Sequence, residues 1–331
     1  MKTISVIASL LCTAALLSCS KEGSDITPAP DDTRAAIVPT AGLSMNATPS
    51  VRAALPSGPI SGTTFPASTE SVFAVTAYKG TAAPTSDYSS AYFDNEAVDS
   101  NAEGAESPLS FTTAQYYPAD AEKLYFYAYS PVSTSDYTAG TASAAPTVAW
   151  TIDGQQDIMW AKADGGIGKV SAGTTQAQPN FTFGHLLKQV RFKLVRGESF
   201  GDGLSATSVK ITNCRTQASL NPITGDLTFS GDADQSLELS GSFPIRTADQ
   251  ADQQIGSLLC QAGETALDIE VVAAGITYRT DVTLKSNDSA VTAGGAGVSH
   301  LVTLTFIGTQ IIPSATITDW VDAGETNGTI E

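Results

Sequence analysis

One position in this sequence is sharply defined for chemistry: Cys19. It follows Leu16-Leu17-Ser18 at the end of an uncharged, mostly apolar run, Ile4–Leu17, itself preceded by the basic start Met1-Lys2. That run is shorter than the roughly 20 residues a membrane-spanning helix needs. Small or aliphatic residues just ahead of a cysteine make a cleavage point for a lipoprotein signal peptidase. The amine and thiol of Cys19 then carry acyl chains, several being required because each buried CH₂ contributes only about 0.8 kcal/mol. The reading is a signal peptide over residues 1–18 and a lipid on Cys19 that attaches the chain to a membrane.

The other reactive residue types do not form constellations. His185 and His300 are far apart in sequence and lie in no metal-ligand spacing. His185 sits in an apolar Phe183-Gly184-His185-Leu186-Leu187 segment, the setting of a packed, hydrogen-bonded imidazole. Ala163-Asp164-Gly165-Gly166-Ile167-Gly168-Lys169-Val170 lacks the first glycine and the final hydroxyl residue of a phosphate loop. Asp31-Asp32 and Asp232-Ala233-Asp234 lack the alternating oxygen ligands and turn glycine of a calcium loop. The expectation is therefore a non-enzyme, with no catalytic residue, metal or cofactor. The net charge of −17 also argues against a nucleic-acid partner, since it repels phosphate. Cys214 and Cys260 are the cysteines left beyond the signal, and whether they pair stays open.

The elements around these residues read as strands. Residues 19–34 are polar, acidic and proline-containing, a flexible lipidated tether. Beyond them, period-two alternation recurs. Leu124, Phe126 and Ala128 oppose Tyr125, Tyr127 and Tyr129. Val190, Phe192 and Leu194 alternate with Arg191, Lys193 and Val195, and Val302, Leu304 and Phe306 with Thr303 and Thr305. A further run has Ile276, Tyr278, Thr280, Val282 and Leu284 on one face. Segments 72–79, 147–152, 207–212, 226–230, 267–273 and 315–320 are also strand candidates. One-sided strands at this spacing predict antiparallel β-sandwiches with one face in the core and one in water. The Gly-, Ser-, Thr- and Gln-rich stretch Gly165–Pro179 divides the chain into an N-terminal sandwich, residues 35–180, and a C-terminal one, residues 181–331. Tyr125 and Tyr127 could stack on sugars, which keeps a glycan-binding surface lipoprotein as an alternative.

The Cys19 signal, Asp157-Ile158-Met159-Trp160-Ala161, Phe183-Gly184-His185-Leu186-Leu187-Lys188-Gln189-Val190-Arg191-Phe192 and the closing Ala315-Thr316-Ile317-Thr318-Asp319-Trp320 together resemble the fimbrillin-like proteins of Bacteroidetes, which build type V pili. Lys21-Glu22 resembles the export signal of surface lipoproteins in that phylum, and Asp288-Ser289-Ala290 its O-glycosylation acceptor. The resemblance implies two tandem transthyretin-like β-sandwiches and a subunit of a surface fimbrium acting in adhesion or biofilm formation at the outer membrane. Its implied partners are other fimbrillin subunits, an arginine-specific protease, the membrane through the lipid, and a host or bacterial surface receptor. Trimming by that protease would remove the first strand, and a strand from a neighbouring subunit would fill the vacated groove.

Two arginines precede alanine, as such a cut requires: Arg34-Ala35 and Arg52-Ala53. Cutting after Arg34 leaves the first apolar segment, Ala35–Met45, in place, whereas cutting after Arg52 removes it, so Arg52 is the better candidate. A C-terminal donor strand would present Ala315, Ile317 and Val321 on one face. Ile311–Val321 can equally be the last native strand of the second domain, since the tail beyond it is short and polar. A lipid-retained tip or anchor subunit is the corresponding alternative.

Overall fold

A computed structural model of the protein describes residues 34–43, 71–100, 106–133, 135–171, 173–250, 254–286, 292–308 and 310–319. The signal peptide, Cys19, Arg52, Ala53, residues 287–290, Trp320 and Val321 lie outside them.

The chain is nearly all β, and no α-helix occurs among the described residues. Its Thr-, Val- and aromatic-rich alternating runs suit a pleated surface with at least one face buried. In chain order the first strands are β1 (Thr40–Leu43), β2 (Ser71–Gly80), β3 (Ala91–Ser100), β4 (Glu106–Phe111), β5 (Lys123–Ser130), β6 (Tyr137–Thr138), β7 (Thr147–Thr151), β8 (Met159–Lys162) and β9 (Asn180–His185). There follow β10 (Lys188–Arg196), β11 (Ser205–Cys214), β12 (Gln217–Leu220), β13 (Leu227–Ser230), β14 (Gln235–Pro244), β15 (Arg246–Thr247), β16 (Gly256–Cys260), β17 (Ala266–Ala273), β18 (Ile276–Thr283), β19 (Val298–Ile307) and β20 (Gln310–Asp319).

Strands β1-β4-β3-β2-β5-β8-β9 close into a barrel. Its interior holds Phe73, Val75, Leu124, Phe126, Ala128, Phe181 and Phe183, with the Phe73 and Phe183 rings 4.7 Å apart. The largest core lies between two further sheets, β15-β10-β19-β20 with β16 alongside β10, and β14-β11-β17-β18. There Phe192, Leu194, Val302, Leu304 and Phe306 meet Val209, Ile211, Ile269 and Val271. A fourth sheet, β13-β12-β7-β6, pairs strands from both halves of the sequence: Val148–Thr151 run antiparallel to Gln217–Leu220. Its Val148 and Leu220 pack with Ala74 and Tyr129 on the outside of the barrel, while Ala218 belongs to the large core.

Three features differ from a plain antiparallel sandwich. The N-terminal sheet is closed along one seam by β1, which pairs with both β4 and β9. Parallel pairs occur at β1–β9, β10–β15 and β10–β19. Strands β5 and β10 are buried on both faces, because a second layer covers the side that alternation assigns to water. Thus Tyr127 and Tyr129 are buried along with Leu124 and Phe126, and Tyr129 meets Trp150 edge-on at 5.8 Å.

Covering both faces of β10 buries polar groups, which must then find partners. The Lys188 ammonium donates to the Glu264 carbonyl, and Ser299 Oγ donates to Gln189 Oε1 at 2.7 Å. His185 and Asp157 form a buried contact at 2.9 Å, so the imidazole is packed and bonded as its apolar setting predicts. The Gly294 N–H donates to His300 Nε2 at 3.1 Å, which places the proton of the neutral ring on Nδ1. The thiols of Cys214 and Cys260 are free and buried, and burial pushes the Cys214 thiol up to about 12.

His300 carries a pH prediction. Burial first, then the Lys188 and Arg191 charges, hold its pKa down at about 4 against an ordinary 6.5. As pH falls through 6.5 the unfolded chain takes up a proton there, while the folded chain stays neutral until about 4. Stability is therefore lost across that window, on the order of 3 kcal/mol from this group. Urea midpoints measured down the acid range should fall more steeply for the natural chain than for His300→Gln. Parallel curves would show that the ring contributes nothing to acid sensitivity.

Candidate functional site

The first apolar segment lies in the seam of the barrel. Ile37, Pro39 and Ala41 turn inward and are buried, while Ala36 and Val38 point outward. Ile37 and Ala41 join the barrel core, with Ala35 and Leu43 packed at its margin. The spacing follows from a strand's period of two, and Pro39 is tolerated because it stands just ahead of β1, outside its ladder.

Backbone bonds hold the segment on both sides. Towards β4 and the chain after it, the Ile37 N–H donates to the Gln115 carbonyl at 2.9 Å and the Leu109 N–H to the Pro39 carbonyl at 2.8 Å. The Tyr117 N–H donates to the Ala35 carbonyl at 2.9 Å. Towards β9 the register is parallel, with Thr40 beside Asn180 and Leu43 beside Phe183. Two side chains complete that edge. Gln178 accepts from the Val38 N–H at 2.8 Å and donates to the Ala36 carbonyl at 3.2 Å, and Thr40 Oγ1 donates to Asn180 Oδ1 at 3.1 Å.

The chemistry of this site is pairing. Its side-chain contribution is small, since Ile37 is the only large side chain fully buried by the segment among the described residues. Burying one such residue is worth about 1.5–3 kcal/mol, and the alanines and Gly42 add little. What holds the segment is mainly main-chain bonding, which any extended strand can supply. Taking it out would leave β4 and β9 with open edges over an apolar core containing Phe73, Phe181 and Phe183.

The predicted site residues are placed as follows. Arg34 is exposed, and Ala35, the next residue in the chain, packs against the barrel core. Ala315 lies in β20 opposite Val302 and packs on the large core, and the Ile317 backbone lies opposite His300. Strand β20 is thus hydrogen-bonded to β19 of its own chain from Gln310 to Asp319. It is an edge strand, and its Ile312 side chain is 53% exposed. Tyr127 is buried and Tyr125 donates to the Thr81 carbonyl at 2.9 Å, so this tyrosine pair presents no open stacking surface.

Gln178 and Asn180 escaped sequence reasoning, because Gly165–Pro179 reads there as a separating loop. A signal was present: Gln176, Gln178 and Asn180 carry the polar row of Thr182, the face opposite Phe181 and Phe183, backwards into that stretch.

The fold is shared with candidate cell adhesion proteins of two Bacteroides species. A candidate cell adhesion protein of Bacteroides uniformis superposes with a TM-score of 0.58, at 19% identity, over 88% of this chain and 100% of that one. One from Bacteroides ovatus gives a TM-score of 0.53 at 16% identity, over 87% and 98%. The family model described as fimbrillin-like matches residues 62–320, and the chain belongs to the fimbrillin-like family. Among curated proteins, the candidate fimbrium subunit Fim1C of Bacteroides uniformis is 26% identical over 336 residues, covering 97% of this chain and 96% of that protein.

Proposed function

We propose that this chain is a structural subunit of a cell-surface fimbrium, exported as a lipoprotein on Cys19 and assembled by strand exchange after a cut following Arg52. The observation that carries the reading is the replaceable seam strand. The Ala35–Leu43 segment fills the barrel wall with small side chains and backbone bonds, so a longer apolar strand from a neighbour gains more there than the resident segment does. A cut after Arg34 would leave the seam filled, whereas a cut after Arg52 would empty it. Family membership supports the fimbrial role, and the largely main-chain bonding of the segment suits recognition of a strand by its backbone. The two cores support two β-sandwich-like halves meeting near residue 180.

The donor is the C-terminal segment containing Ala315, Ile317 and Val321. To serve, it must leave β19 or act through the residues beyond Asp319. Its intact pairing with β19 favours a second reading, a lipid-retained tip or anchor subunit that keeps its own seam strand and is not processed like a stalk subunit.

Mass spectrometry of the mature ends from intact cells separates these readings. The stalk reading expects an N-terminus at Ala53 and its loss in Arg52→Ala, with lipidated Cys19 retained in the variant. Natural protein that keeps its Cys19 lipid in sheared fimbriae would overturn the stalk reading in favour of the anchor.

A further inference from the structure

The ladder between β8 and β9 stops early. Met159 pairs with His185 and Trp160 with Gly184, and no further register pair joins these strands. Beyond that point β8 stays with β5, where Lys162 lies opposite Tyr127, and Ala163 donates its N–H to the Phe126 carbonyl. Strand β9 stays with β1. The strands part, and a half-open cleft of about 390 Å³ lies between them. That volume falls within the roughly 300–1,000 Å³ common for small-molecule sites.

The cleft is lined by the outward residues of both strands, Trp160, Lys162 and Asp164 on one side and Gln178, Asn180 and Thr182 on the other. Trp160 is fixed in place. Its Nε1–H donates to the Pro222 carbonyl at 2.7 Å, and a β-carbon at Gly225 would come within 2.6 Å of the ring. Gly225 has φ +80°, a left-handed conformation that suits glycine, so this close approach is built into the 221–226 turn. Asn180 Oδ1 is engaged by Thr40, which leaves its amide N–H groups for the cleft. Lys162 and Asp164 carry opposite charges in one cleft and form no ion pair with each other among the described residues.

We infer that this cleft is a binding site for a neutral saccharide of one or two pyranose units. The immobilised Trp160 contributes apolar surface to the lining, which can pack on the C–H side of a sugar ring. Around it stand a carboxylate acceptor, an ammonium donor, an amide and a hydroxyl, the mixture that ring hydroxyls require because each both donates and accepts. A wholly apolar ligand would strand these polar groups, and a ligand of one charge would meet a like charge beside the opposite one, since Lys162 and Asp164 stand on the same side. The cleft adjoins the seam, since Gln178 and Asn180 line it and also bond to the Ala36–Thr40 segment.

The test uses the full chain labelled with 5-fluorotryptophan, in which Trp160 is assigned by Trp160→Phe. The probes are methyl pyranosides of glucose, galactose, mannose and N-acetylglucosamine and their linked disaccharides, at up to roughly 10 mM, above a millimolar dissociation constant. At least one probe is expected to move the Trp160 resonance while leaving Trp150 in place. The paired substitution Asp164→Ala with Thr182→Ala, both at exposed positions, should weaken that binding about tenfold or more without changing the melting temperature. Absence of any Trp160 shift across the panel, or a shift that survives the paired substitution at equal affinity, would overturn the proposal.

Discussion

A chain that begins at Ala53 is expected to assemble into ladders on mildly denaturing gels, while the chain that retains Ala35–Leu43 stays monomeric. The expectation follows from the seam. Removing the segment strips Ile37 and Ala41 from the barrel core and leaves the β4 and β9 edges without a partner between them. The lost burial is about 1.5–3 kcal/mol for Ile37, and each backbone bond adds about 1 kcal/mol net. A shortened monomer is therefore destabilised by several kcal/mol and regains it only by capturing a strand. A synthetic peptide covering Ala35–Met45 should occupy the seam in trans and slow assembly, whereas a scrambled peptide should not. Light scattering coupled to gel filtration reads both effects. A shortened chain that stays monomeric with an unchanged melting temperature would remove the basis for strand exchange.

Tyr129→Ala should cost about 3–5 kcal/mol, the range for removing a fully buried aromatic ring. The ring is 1% exposed and touches Val148, Leu220 and Trp150, so its loss opens a cavity between the barrel and the fourth sheet. Its hydroxyl donates to Asn95 Oδ1 at 2.5 Å and lies 3.1 Å from the Ser133 carbonyl. Asn95 is held at φ 51°, at the bulged part of β3, so the hydroxyl also steadies a left-handed residue. Tyr129→Phe keeps the ring and loses those bonds, for which about 1–2 kcal/mol is expected. Equal losses in the two variants, measured by urea unfolding, would mean that ring packing contributes little to this junction.

Much of the fold was legible because alternation reports directly which residues face a core. The runs Leu124–Tyr129, Val190–Val195 and Val302–Phe306 fall in strands, as does Ile276–Leu284 up to Thr283. Alternation does not report what covers the opposite face. Tyr127 and Tyr129 read as a solvent-side row, yet their partners Ile223, Val148 and Leu220 come from remote parts of the chain. Parallel pairing escaped for a similar reason. The partner of β10 lies more than a hundred residues away, and no local pattern fixes that register. Strand β3 was missed because its Asp94-Asn95-Glu96 centre and register shifts break the period. At the seam, the apolar segment was visible in sequence, but the amides that grip it were hidden in a stretch that composition marks as a loop.

The fourth sheet has a mechanical consequence. Strand β7 precedes the changeover between the two cores and β12 follows it, so the halves are joined by the continuous chain and again by a hydrogen-bonded ladder. A body pinned at two places cannot swivel about either one. In a fibre of such subunits each link would be stiff, and flexing would concentrate at the joints between links. The ladder from Val148 to Thr151 would also have to break for one half to be drawn away from the other, so a tug on either end is met first by the joints.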